Sequence, residues 1–356
     1  MKRYSLAGCV IAWALLSGPI FAAQAPDCCF DVAHTVFSPA NGIFKSQDHD
    51  FMTIPRQTAS FLIGKFREVG LRPNTRRGQN FLIDLNLVQL LADTANPRPD
   101  DVVLEIGTGT GSLTALLAAR AAAVVTIEVD PQLYQLASEA LIDCPNVTML
   151  CKDALRNKSH FDPELLEAVR TQLSQRPGCR VKLVANLPYS IATPVLSNLL
   201  STDLLPVSMT VTIQKELAER ITAAPSSKDY GALSIWVQCQ CETQLVRILP
   251  PTVFWPQPKV ESAILQIIPS PEKRARIPDL AFFHSFVRSM FFHRRKFLRS
   301  ELLSAFKNEL DKEAVDAILR EQTLEGNARA EELGVEQMLS LSEAVRRRLG
   351  TTNGGA

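Results

Sequence analysis

The residues best equipped for chemistry are Asn186, Leu187, Pro188 and Tyr189, which close the apolar run Val181-Lys182-Leu183-Val184-Ala185. A buried strand has no packing reason to end on an amide, a proline-stiffened turn and an aromatic ring. A ring-conjugated amine such as that of adenine would use all three. Its nitrogen lone pair is delocalised into the ring, so it is a poor nucleophile. Two acceptors gripping its two hydrogens hold the nitrogen towards tetrahedral geometry and aim the lone pair. The Asn186 side-chain oxygen is one candidate acceptor and the Leu187 backbone carbonyl the other. Pro188 fixes φ and stiffens the turn that aims that carbonyl. Tyr189 offers a face on which an extruded base stacks, worth about 1–3 kcal/mol. The plain alternative is a turn with a buried tyrosine, and the surroundings of the turn decide between the two.

A second constellation lies upstream, in Glu105-Ile106-Gly107-Thr108-Gly109-Thr110-Gly111 between a strand pattern and a helix pattern. Glycines there let the backbone turn sharply and a ligand approach it closely. A dinucleotide site is G-x-G-x-x-G with an acid roughly 20 residues later. This chain has G-x-G-x-G, and Glu128 closes the next strand. The spacing favours S-adenosylmethionine, which has no pyrophosphate to seat on the helix N-terminus. A dehydrogenase would want Glu128 equally, because in both cases ribose hydroxyls donate to it. Asp153 closes the third strand and is placed to accept from the amine of a cofactor adenine; a solvated acid in a turn is the plain alternative. Opposite a methyl donor, the tetrapeptide becomes a clamp for a methyl acceptor. The product ammonium is acidic enough to lose its proton to water, so in-line positioning does most of the work.

Both constellations demand one scaffold. Phe61, Leu62, Lys65 and Phe66 at helical spacing predict a helix over 55–69, and a second begins near Asp84. From residue 101 onward, short apolar strands alternate with helices. That pattern predicts an α/β fold, a parallel sheet covered on both faces, with ligands at the carboxyl ends of its strands. Two later runs, 243–249 and 260–268, would complete the sheet as an edge hairpin. The connection after Asp153, up to Val181, reads as a surface insertion carrying an exposed amphipathic helix. Beyond Pro269-Ser270-Pro271 the patterns are helical only. The expected division is therefore a 1–51 extension, a 52–270 sheet domain, a 271–349 helical domain and a disordered tail, 350–356.

Of the 356 residues, 46% are hydrophobic and 21% charged, with a formal net charge of +1, as in ordinary soluble globular proteins. Bulk charge excludes indiscriminate nucleic-acid binding and leaves only local basic patches. The 8 cysteines lack C-x-x-C spacing and there are 5 histidines, so no metal site is expected and the thiols read as free. The first 25 residues have a basic start, an apolar stretch and Ala23-Gln24-Ala25, a secretory-signal pattern. Periodic sequence starts only near Met52, itself a possible initiator. Export, an uncleaved anchor and a start codon placed too early all remain open on this pattern.

In order along the chain come GQNFLID, LEIGTGTGSLT, IEVD, KDAL, NLPYSIATP, QKELAERI, YGALS, FWPQPKVESA and FFHRRKFL. With these motifs the chain resembles the rRNA adenine N6,N6-dimethyltransferases, specifically the small-subunit type associated with kasugamycin sensitivity, from about Arg76 to Arg299. The resemblance implies a Rossmann-like class I S-adenosylmethionine-dependent methyltransferase sheet with a small all-α C-terminal domain. It implies cofactor contacts at Asn80, Leu82, Gly107, Gly109, Glu128, Asp153 and Asn186, and a base-holding turn at Asn186, Leu187, Pro188 and Tyr189. It implies a second stacking aromatic at Phe254, and phosphate contacts from Arg294, Arg295 and Lys296 on a helix. The implied reaction is dimethylation of two adjacent adenines in small-subunit rRNA on a pre-ribosomal particle, by a cytoplasmic monomer with no membrane partner. That location favours a misassigned start, with translation from Met52, over export. Two alternatives stand beside it: a large-subunit rRNA dimethyltransferase conferring antibiotic resistance, and a non-catalytic RNA-binding assembly factor. The extension before about Arg56 and the length of 157–180 depart from the family pattern.

Overall fold

The computed structural model describes residues 59–68, 70–74, 78–293 and 296–353. The 1–51 extension, the proposed start at Met52, and Arg294 and Arg295 lie outside the described residues. Helix α1 (Ala59–Glu68) precedes a short strand β1 (Phe81–Leu82). Helix α2 (Leu85–Ala95) begins where the Asp84 carboxylate accepts from the N–H groups of Asn86 and Leu87, which have no partner within the helix. The alternation then runs β2 (Asp101–Ile106), α3 (Ser112–Ala118), β3 (Ala123–Glu128), α4 (Pro131–Ala140) and β4 (Val147–Cys151). The hairpin β5 (Leu155–Asn157) and β6 (His160–Phe161) and helix α5 (Pro163–Ser174) lead to β7 (Arg180–Asn186). Next come α6 (Ala192–Leu199), β8 (Ser208–Gln214), α7 (Lys215–Thr222), α8 (Ala232–Gln238), β9 (Cys241–Leu249), β10 (Phe254–Trp255) and β11 (Ser262–Pro269). Helices α9 (Pro271–Ala275), α10 (Leu280–Met290), α11 (Leu298–Ala305), α12 (Lys312–Glu321) and α13 (Val335–Asn353) close the chain.

The main sheet has 7 strands in the order β4-β3-β2-β7-β8-β11-β9. Its pairings are parallel except those of β11, which runs antiparallel to both neighbours. Every residue of β2 and β3 is buried, as a parallel sheet covered on both faces requires. The chain builds outward from β2 through β3 to β4, then returns to lay β7 on the other side of β2. That reversal opens a crevice beyond the carboxyl ends of β2 and β7. The register pairs Ile106 with Ile127 and Glu128 with Cys151, so the glycine loop, Glu128 and the turn before Asp153 share one edge.

Three sequence expectations are corrected here. Helix α5 is not an exposed insertion: Leu165 and Val169 are fully buried in the main core, because the crossover from β4 to β7 must cover one sheet face. Its charged outer face gave the misleading impression. The tail is helical to Asn353, since Gly350 alone costs about 1 kcal/mol and does not stop a long helix. Lys296 lies in the turn between α10 and α11 rather than on a helix. The buried stripe of α10 is Phe283, Phe286, Val287 and Met290, and its next positions would be His293 and Arg294, which cannot extend it.

The C-terminal helices share a continuous hydrophobic cluster with the sheet and α8, and the Tyr230 hydroxyl donates to the Leu333 carbonyl at 2.9 Å. Residues Thr53–Ala356 form one compact unit. Among the described residues no helix is long and apolar enough to cross a membrane.

At the sheet edge remote from the crevice, Lys182 Nζ lies 2.9 Å from a fully buried Asp101 oxygen and donates to the carbonyls of Ala95 and Asn96 at 3.0 and 2.7 Å. One ammonium thus closes α2 and shares with Arg180, whose Nη2 lies 3.1 Å from the other Asp101 oxygen, the neutralising of a carboxylate removed from water. Replacing Lys182 by Met leaves Asp101 with Arg180 alone and should cost about 1–3 kcal/mol. Urea denaturation checks this, and the fold should survive because the hydrophobic stem is kept.

Candidate active site

The carboxyl ends of the parallel strands surround a cavity of about 370 Å³, lined among others by Asn80, Leu82, Gly107, Gly109, Glu128, Asp153, Asn186 and Pro188. Residues as far apart as Asn80 and Asn186, 106 positions, are brought together because each ends or closely follows a strand, or lies in the segment that leads into α2.

Asn186 is the last residue of β7. Its side-chain amide donates from Nδ2 to the Asn80 carbonyl at 2.9 Å. Only the NH₂ end of an amide can face a carbonyl, so this bond fixes the orientation and turns Oδ1 the other way. The Leu187 side chain is buried and its N–H donates to the Thr212 carbonyl at 3.1 Å. Among the described residues its own carbonyl accepts no hydrogen bond. The turn therefore presents two oxygens, one from a side chain and one from the backbone. Tyr189 is half-buried, and burial pushes its phenol pKa up. Its hydroxyl lies 2.5 Å from Ser262 Oγ, which fixes the ring plane from the antiparallel strand β11.

The glycine loop and the tetrapeptide touch. Gly107 has φ +87°, and a Cβ there would meet the Pro188 ring at 3.4 Å. Gly78, at φ +73°, would place a Cβ 3.1 Å from the Tyr189 nitrogen. A side chain at Gly78 would press on the turn, and at both positions the positive φ strains any residue but glycine. The segment that carries Asn80 is tied down further: Gln79 Nε2 donates to Asp130 at 3.4 Å, and β1 pairs Phe81 with Trp255 and Leu82 with Phe254. Phe66 from α1 packs edge-on against Phe81 and Trp255, each at 5.2 Å.

Three acids sit here in different states. Glu128 is 5% exposed, and each carboxylate oxygen accepts one backbone N–H, from Gly109 and from Asp130, both at 3.0 Å. Burial raises its pKa, and those two donors oppose the rise. Asp153 is exposed and accepts from the Leu155 N–H at 2.9 Å, leaving its other oxygen directed away from that turn. Glu105, under the glycine loop, is fully buried; burial pushes its pKa to about 8, against the hydroxyls of Thr114 and Thr126 that donate to it at 2.6 and 2.8 Å. Because Thr126 donates to Glu105, the Thr108 hydroxyl must donate to Thr126, 2.7 Å away. The loop is thereby anchored to the strand beneath it.

The structure does not place Phe254 as the sequence suggested. Its ring is 2% exposed and packs with Val88, Leu91, Leu249 and Ile264, so it presents no face to a base. Its pairing with Leu82 draws it inward, beneath the cavity lining. Lys296 is exposed, and its N–H donates to the His293 carbonyl at 2.9 Å. Sequence reasoning missed Ser262 and Gly78. Ser262 stood inside the K-V-E-S-A motif, but nothing in one sequence links it to a tyrosine 73 residues away.

Glu105 generates a test. The folded state keeps a proton that the unfolded state releases from its ordinary value of 4.5 upward. Its contribution to stability is full below pH 4.5 and is lost as pH rises to about 8. Glu105→Gln keeps an acceptor for both threonines and cannot ionise. Unfolding free energies from urea titrations at pH 5 and pH 8 should lie closer together in this variant than in the wild type, by a few kcal/mol in order of magnitude.

The family model for ribosomal RNA adenine dimethylase matches residues 70–347. Ribosomal RNA small subunit methyltransferase A of Alkaliphilus metalliredigens is 39% identical over 270 residues, covering 75% of this chain and 90% of its own. The protein of the same name from Bacillus mycoides is 40% identical over 271 residues, covering 75% and 89%. Among solved structures, a dimethyladenosine transferase from Plasmodium falciparum superposes with TM-score 0.62 at 23% identity, over 74% of this chain and 97% of its own. The 23S rRNA methyltransferase ErmE superposes with TM-score 0.54 at 28% identity, over 75% and 99%. The fold is thus the α/β Rossmann-like class I methyltransferase fold, and the chain belongs to the ribosomal RNA adenine dimethylase family.

Proposed function

We propose that this chain transfers methyl groups from S-adenosylmethionine to the N6 amines of adenines in small-subunit rRNA, giving N6,N6-dimethyladenosine during ribosome biogenesis. The observation that carries the reading is the Asn186 amide. It is oriented by Asn80 and lies on the lining of the cavity that also holds Gly107 and Glu128.

The cavity fits the cofactor. Its volume falls in the range of roughly 300–1,000 Å³ expected of small-molecule sites. Each Glu128 oxygen has spent one lone pair on a backbone N–H and keeps another for a ribose hydroxyl. Asp153, at the far end of the same strand edge, suits the adenine amine. Asn80, Leu82 and the bare backbone of Gly107 and Gly109 line the space between. When bound, S-adenosylmethionine supplies a methyl group made electrophilic by a sulfonium. The residues of the chain do the rest. Asn186 Oδ1 and the Leu187 carbonyl accept the two amine hydrogens, Pro188 holds the turn, and Tyr189 stacks on the base. The product nitrogen releases its proton to water, so no side chain need act as a base.

Small-subunit rRNA is favoured because the relatives that bear that name match at 39% and 40% identity, against 28% for the 23S rRNA methyltransferase. The intact glycine loop and clamp count against a non-catalytic assembly factor. Lys296, with Arg294 and Arg295, completes the reading as phosphate contacts of the 271–349 helical region. A ribosomal RNA substrate places the enzyme in the cytoplasm.

The direct test incubates the protein with small subunits lacking the modification and with labelled cofactor, then maps the methylated bases. Asn186→Ala should lower turnover about 100-fold, as the loss of one oriented catalytic hydrogen bond does, with RNA binding near normal. Equal turnover would remove Asn186 from its role. Glu128→Ala should weaken cofactor binding roughly 10- to 100-fold by calorimetry, with the fold retained.

A further inference from the structure

A second hollow of about 1,100 Å³ opens beside the cofactor cavity and shares Asp153, Ser190 and Ile191 with it. It is larger than the roughly 300–1,000 Å³ of small-molecule sites. It runs as a trough from the mouth of the active site to the C-terminal helices. The β5–β6 hairpin forms one wall, α6 and α8 line the floor, and α10 forms the other wall. Asn198 Nδ2 donates to the Lys158 carbonyl at 3.3 Å and ties the hairpin to α6.

Its charge is one-sided. Arg156 and Lys158 stand on the hairpin and Arg288 on α10, all exposed. Asp153, at the junction with the cofactor cavity, is the only acid among the lining residues described. Elsewhere several arginines lie against carboxylates: Arg120 on Asp93, Arg170 on Asp203, Arg220 on Glu216, Arg299 on Asp316 and Arg346 on Glu343. Among the described residues Arg156, Lys158 and Arg288 make no ion pair. Between the two basic walls, Thr193, Asn198 and Ser201 supply hydroxyl and amide groups suited to phosphate and ribose oxygens. On the inner side the His284 ring lies 4.3 Å from that of the buried Trp236.

We propose that this trough seats the sugar–phosphate backbone of the rRNA strand flanking the target adenine, with Arg156, Lys158 and Arg288 each neutralising a phosphate. The inference rests on the methyltransferase reading, because the trough leads to the clamp and a strand lying in it delivers its next base there. Cations without protein partners hold only water and counterions, and release of those counterions drives backbone binding.

The test uses the full chain and protein-free small-subunit rRNA. Arg156→Gln, Lys158→Gln and Arg288→Gln are combined. Binding is measured between about 50 and 200 mM salt. Loss of three phosphate contacts should reduce the slope of log K against log salt by about 2 and weaken binding at least about tenfold. Cofactor affinity and the melting temperature should not change. A control with Arg120→Gln, Arg299→Gln and Arg346→Gln removes the same charge outside the trough and should keep the slope. An unchanged slope in the trough variant, with wild-type binding and methylation intact, overturns the trough and leaves the methyltransferase reading standing. An equal loss of slope in the control also overturns it, since bulk charge would then suffice. If the wild type methylates no small subunits lacking the modification, yet the trough variant alone loses its slope, the surface stands as an RNA site and the assigned reaction fails.

Discussion

The catalytic geometry depends on one hydrogen bond, from Asn186 Nδ2 to the carbonyl of Asn80. An amide at a strand end can rotate about its side-chain torsions, and a flipped or tilted amide would offer hydrogens where an acceptor is needed. A neutral hydrogen bond contributes only about 1 kcal/mol to stability. Its value here lies in direction, because a misplacement of about 1 Å can cost roughly 100-fold in rate. Much of the surrounding packing keeps that carbonyl still. Gly78 lets the segment lie against the Tyr189 backbone, Gln79 reaches Asp130, and the rings of Phe66, Phe81 and Trp255 clamp the β1–β10 pair. α1, remote from the chemistry in sequence, thus contributes to the aim of one side chain.

The far side of the turn is held by the only antiparallel strand in the main sheet. β11 inserts between β8 and β9 and brings Ser262 opposite both Gln214 and Leu249. From there its hydroxyl meets that of Tyr189. The aromatic ring is therefore oriented from one direction by β11, and the amide from the other by the segment before α2. Between them Pro188 rests on Gly107. The two halves of the reaction meet through that contact: a change in the glycine loop is felt by the clamp, and the reverse.

Much of this was legible in the residues. Strand and helix alternation announced the parallel sheet. Gly107, Glu128, Asp153 and Asn186 were readable because each ends or closely follows a strand, and strand ends in such sheets converge on one crevice. Partnerships were not readable. Asn80 and Asn186 are 106 residues apart, and Tyr189 and Ser262 are 73 apart, and no spacing rule joins them. Phe254 failed for a different reason: motif position says nothing about which way a ring turns, and pairing with Leu82 turns it into the core. Helix α5 failed because its polar face dominates its sequence while Leu165 and Val169 are its only fully buried residues.

Glu105 and Glu128 show why identity alone does not assign an acid. They lie on neighbouring strands of the same sheet, and both are buried. Glu128 projects where two backbone N–H groups converge, from Gly109 in the loop and Asp130 at the cap of α4, and those donors favour its charged form. Glu105 meets only hydroxyls, which do not offset the loss of water, and its pKa rises to about 8. A proton retained there makes it a neutral strut beneath the loop. Glu128, whose two oxygens each accept a backbone N–H, is then the acceptor offered at the cavity wall where hydroxyl donors arrive. Had both ionised at this separation, their repulsion would oppose binding and folding together. Burial of Glu105 settles that competition, against the opposing pull of the Thr114 and Thr126 hydroxyls, so these residues belong to the site's electrostatics although none needs to touch a ligand.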